Sequence, residues 1–69
     1  MRDTDVERAA ALAEALDLNA RQIAYGIREH DRALGIAPAA AAEYAWYVED
    51  RQADRAHLLR KLAELNADS

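Results

Sequence analysis

The sequence predicts an all-α protein of three helices, at about 5–17, 20–34 and 38–66, assembled as a homodimeric helical bundle. Three observations lead there. The composition is rich in Ala, Leu, Arg, Glu and Asp, Phe is absent and β-branched residues are few; this balance favours helix over strand. Apolar residues recur at three- and four-residue spacing along most of the chain, which is the period of one helix face. Two short stretches, DLN at 17–19 and GIAP at 35–38, carry turn-forming residues. At 69 residues the chain makes one domain, near the size at which a single core is marginal. With no cysteine, neither disulfides nor thiolate metal sites can supplement that core. Association with a second chain is the way left to enlarge it.

The first helix has a start signal. The stretch TDVE at 4–7 fits a capping box, and Asp5 and Glu7 put negative charge at the positive end of the helix dipole. Val6, Ala9, Ala13 and Leu16, with Leu12 beside them, give this helix one apolar face. Asp17, Leu18 and Asn19 then break the pattern, and Asn19 can cap a second helix with Gln22 three residues on. That second helix carries an inner stripe of Ile23, Ile27, His30 and Leu34, with Ala20 and Ala24 alongside. Gly35 is placed to end it in a left-handed conformation. Pro38 suits the first turn of the third helix, where its missing N–H costs nothing.

The third helix, 38–66, is long for so small a chain. Ala41, Tyr44, Val48, Arg51, Arg55, Leu58, Leu62 and Leu65 keep a heptad-like seam interrupted by two arginines. The stretch EDRQADR at 49–55 is polar almost all round and is expected to be solvated, whether or not the helix is continuous through it. A helix of that length spans roughly 43 Å, more than two short helices cover. A second copy of the chain is expected to cover the remainder.

The net charge is −4, which argues against a generic nucleic-acid or membrane binder. Its distribution is uneven. Residues 1–18 carry two basic against five acidic side chains, 19–37 three against two, and 38–69 four against six. The middle segment alone is net positive. The opening residues lack the apolar core of a signal peptide, and no apolar run approaches membrane-spanning length. A cytoplasmic location is the expectation. No nucleophile–base arrangement or Gly-rich phosphate loop is visible, and Asp50 and Asp54 beside Arg51 and Arg55 read as a charge lattice. His30 reads as a core or interface histidine and His57 as a surface one. The chain is therefore expected to have no enzymatic activity, catalytic residue, metal, cofactor or small-molecule substrate.

One stretch carries a resemblance. Leu12, Ala13, Glu14, Leu16, Leu18, Arg21, Ile23, Tyr25, Ile27, Arg28 and Glu29 lie where the helix-turn-helix of bacterial transcription regulators places its characteristic residues. Residues 12–29 resemble the deoxyribose-repressor and sugar-antiterminator types in particular. The resemblance implies a helix-turn-helix pair at 5–34, in which Arg21, Gln22, Tyr25 and Arg28 face a major groove. Arg32, one turn further on, is a further candidate for partner or DNA contact. The chain departs from that pattern at Asp17, where the turn usually carries Gly, and at Gly26 inside the reading helix.

Two functions of different kinds follow. In the first, a helical homodimer binds a second protein and inhibits or modulates it; in general character the chain is similar to small acidic anti-activators and inhibitors that act on transcription regulators. Tyr44, Trp46 and Tyr47, three of the four aromatic residues, then serve with Val48, Leu58, Leu62 and Leu65 as dimer or partner interface. In the second, the chain is a minimal DNA-binding regulator in which the third helix forms the dimer.

Overall fold

In the computed structural model, which describes residues 3–67, two helices form an antiparallel hairpin. Helix α1 spans Asp3–Leu34 and helix α2 spans Pro38–Ala67. The molecule measures 51 × 14 × 10 Å, matching the length of about 48 Å expected of a 32-residue helix. The all-helical class holds, with two helices in place of three. The first two expected helices are one, and α2 runs unbroken through the polar stretch at 49–55.

The missing turn has a physical explanation. In a rod of two helices the buried seam is narrow and recurs every three or four residues. On α1 it runs through Asp5, Ala9, Leu12, Leu16, Asn19, Ile23, Gly26, His30 and Ala33, all buried or half-buried. Asn19 and Gly26 resemble breaks when the stripe is assumed to be wholly apolar, and both belong to the seam. A capping role for Asn19 is therefore replaced by a packing one. The expected stripe is corrected as well: Val6, Ala13, Ala20, Ala24, Ile27 and Leu34 are exposed, one step round the helix from the seam. On α2 the expected seam holds at Ala41, Tyr44, Val48, Arg51, Leu58, Leu62 and Leu65, while Arg55 is exposed.

The bend uses the expected residues in another conformation. Gly35 N–H donates to the Arg32 carbonyl, and the Ile36 and Ala37 amides both donate to that of Ala33. The last turn of α1 thus tightens and stops, with no glycine at positive φ among the described residues. Pro38 opens α2, and the Ala37 carbonyl accepts from the Ala40 and Ala41 amides. Thr4 lies inside the first turn of α1. Asp3 and Asp5 supply the negative charge there.

Gly26 marks a close approach of the helices. A Cβ built on it would lie 2.6 Å from Val48 Cγ2 and 2.9 Å from Tyr47 Cδ1. The core is thin: among the described residues Ala33 and Ala41 are the buried hydrophobic side chains, and the larger apolar ones are at most half-buried.

Candidate interaction surfaces

The seam divides the hairpin into two long faces with different chemistry. On one face lie three open grooves. The groove near the chain ends is lined by Arg8, Leu12, Lys61 and Glu64, and that near the bend by Glu29, Arg32, Ile36 and Tyr44. Between them, Gln22, Asn19, Arg51, Asp54 and His57 line the third. Charges of both signs recur along this side, with two tyrosine contacts among them. The Tyr25 ring meets Tyr44 and Tyr47 edge-on, at centroid separations of 6.4 and 6.5 Å. The Tyr25 phenol beside it, by charge and by a hydrogen bond, holds the Tyr44 phenol above its ordinary value.

Arg51 organises the middle of this face. Its guanidinium pairs with Asp50 and, at 3.0 Å, with Asp54, and stacks 5.8 Å from the Tyr47 ring centroid. Hydrogen bonding to Asp50 raises its already high pKa further, so the group stays charged. Asn19, 3% exposed, donates its side-chain N–H to the Arg51 carbonyl at 2.7 Å. Asn19 Oδ1 and Arg51 Nε are buried with no hydrogen-bond partner. Of the charge lattice expected around Asp50 and Asp54, the part centred on Arg51 is present, while Arg55 makes no ion pair among the described residues.

The opposite face carries no charge along its two stripes nearest the seam. Val6, Ala13, Ala20, Ile27 and Leu34 recur every seven residues on α1, so they share one side. On α2 the facing stripe is Ala45, Gln52 and Leu59, and the two meet at an apolar groove lined by Ile27, His30, Ala45 and Val48. His30 Nδ1 lies 3.4 Å from Asp31 Oδ1.

The residues expected at a partner or DNA contact fall together in part. Arg21, Tyr25, Arg28 and Arg32 follow a 4-3-4 spacing and share the outer side of α1, with Gln22 half-buried beside them. Arg21 pairs with Asp17 at 2.7 Å and Arg32 lies 3.9 Å from Glu29, while Arg28 makes no ion pair among the described residues. The stretch at 12–29 that resembles a helix-turn-helix is uninterrupted helix.

The residues expected at the dimer interface divide. Tyr44, Val48, Leu58, Leu62 and Leu65 are half-buried on the seam toward α1, with Tyr47 at its edge, whereas Trp46 is three-quarters exposed. Sequence reasoning named Val6, Ala13, Ala20, Ile27 and Leu34 as facing inward, and missed that they form an exposed stripe and that Asn19 and Gly26 belong to the seam. The seven-residue recurrence of that stripe was the signal that could have found it.

No family model, curated protein or solved structure matches the chain. Among the described residues no helix is long and apolar enough to cross a membrane.

Proposed function

We propose that the chain is a small non-enzymatic regulatory protein, a helical homodimer that binds a second protein and inhibits or modulates it. Transcription regulators are the target class: the net charge of −4 favours a basic partner such as a DNA-binding domain for the chain as a whole, while the arginine side of α1 would meet acidic groups on it. The observation that carries this reading is the tyrosine cluster beside the Arg21–Arg28–Arg32 side of α1. Tyr and Arg dominate binding hot spots because they bury large area and still offer polar contacts. Capture by the tagged chain from nuclease-treated lysate tests it. One protein should be recovered in near-stoichiometric amount, and Tyr25→Ala should lose it while the helix signal in circular dichroism persists. Recovery unaffected by Tyr25→Ala moves the contact off this face.

A second reading, DNA binding, is favoured by one observation: Arg21, Arg28 and Arg32 line one side of α1, as phosphate contacts would require. Two of the three already have acidic neighbours. Two copies would neutralise roughly six phosphates, giving binding that moderate salt dissolves. Nucleic acid recovered only when nuclease is omitted, with no protein partner, would replace the first reading by this one.

A further inference from the structure

We infer that the uncharged face of the hairpin, centred on Ala20 and Ile27, is where a second copy of the chain docks to make a four-helix bundle. The inference rests on the homodimer reading above and assigns its surface.

The comparison of the two faces is the first support. Both flank the same seam. In an isolated pair of helices both flanking positions are usually charged, because both meet water. Here one flank includes the charged Arg8, Glu29, Asp54 and Lys61 among uncharged residues such as Ala15 and Tyr47, and the other, Val6, Ala13, Ala20, Ile27 and Leu34 with Ala45, Gln52 and Leu59, carries no charge. Removing this face from water makes that asymmetry favourable, since Val6, Ile27, Leu34 and Leu59 are each about half exposed on it. The alanines also let two copies approach closely without a lock-and-key fit.

Area is the second support. The hairpin exposes 5155 Å². A compact protein of 7.7 kDa exposes about 4300 Å². The surplus is about 800 Å², which is the share that each partner contributes to a standard-size stable interface.

The third support decides which occupant. With a core this thin, the hairpin needs the cover whenever it is folded, not only when a target is present. A second copy is the partner available at matching concentration wherever the chain is made. The charged, tyrosine-bearing face is then left free for a different protein.

Sedimentation equilibrium on the whole chain tests this, comparing the wild type with Ala20→Glu and Ala11→Glu. Both alanines are exposed on α1, and Ala11 lies on the charged side, lining the groove with Arg8 and Lys61. The expected result is a wild-type dimer, a dimeric Ala11→Glu and a monomeric Ala20→Glu. Because the chain has no cysteine, Ala20→Cys and Ala11→Cys give a second readout that does not depend on a disruptive charge. Alkylation of Cys at position 20 should slow by about tenfold as protein concentration rises through the dimer range, and that at position 11 should not. A wild type that is monomeric at every concentration overturns the inference and the homodimer reading together, leaving target capture to be judged separately. A dimer broken by Ala11→Glu, or one in which position 11 is the protected site, overturns the face alone.

Discussion

At Gly26 a methyl group would sit 2.6 Å from Val48 Cγ2, and neither Val48 nor Tyr47 can move aside through a flexible tail. Helix propensity alone favours Gly26→Ala by about 1 kcal/mol. Overpacking of a close contact costs about 1–3 kcal/mol, so the substitution should destabilise despite the better helix former. The expected outcome is a melting midpoint lowered by several degrees; a raised midpoint would show that the helices are not held this close.

Asn19 sets the opposite problem, a polar group in the seam with an unpartnered oxygen. A buried Asn fixes register at a cost in stability. Asn19→Leu should leave stability unchanged or raise it by about 1 kcal/mol. It should also produce doubled or broadened amide resonances as alternative registers become populated. A lower midpoint with one sharp set of peaks would sink the register role. Tyr44 gives a pH prediction. Its folded phenol titrates above the ordinary value because of Tyr25. The neutral form is thus favoured by folding, and its contribution is complete below the ordinary phenol value of about 10 and is lost as pH rises through the raised one. In Tyr25→Phe the last phenolate transition in the near-ultraviolet should move to lower pH.

At the scale of the element, α1 shows how helix-stop signals depend on context. Asp17 and Asn19, on either side of the strong helix former Leu18, are poor helix formers, yet the local preference is only a few tenths of a kcal/mol per residue. Asp17 bonds Arg21 one turn on, and Asn19 bonds α2, so two of the three have helical partners. Amide exchange at Leu18, Asn19 and Ala20 should therefore be as slow as at the flanking turns. Fast exchange confined to those three would restore a turn. The bend at 35–38 was legible because Gly35 is a weak helix former and Pro38 suits the first turn of a helix, although Gly35 does not adopt the left-handed conformation expected of it. The α2 seam was legible for a related reason: long apolar side chains at a strict 3-4 spacing leave one way to bury them. The α1 stripe was misplaced because its true line passes through Asn19 and Gly26 and skips Ile27 and Leu34.

For the whole molecule, shape is the governing fact. A rod of 51 × 14 × 10 Å has much surface and little interior, so its stability should depend on company. If folding and association are coupled, the melting midpoint rises with protein concentration, whereas a self-sufficient hairpin melts at one temperature at all concentrations. Calorimetry over a hundredfold dilution series, roughly, distinguishes the two. The candidate contact residues were chosen in sequence by type and spacing, and Arg21, Tyr25, Arg28 and Arg32 share one side of α1. The difference in charge between the two faces was not read there, because it emerges only when α2 is laid beside α1.

Helical character, the bend and the α2 seam follow from each residue's own backbone preference and its neighbours within a turn or two, and these act before any tertiary contact exists. Whether α1 continues past Asp17, which of its faces is buried, and why Asn19 and Gly26 stand in the seam follow from the second helix. Packing along a rod of 51 Å sums many small contacts, and that sum outweighs a break signal worth about 1 kcal/mol.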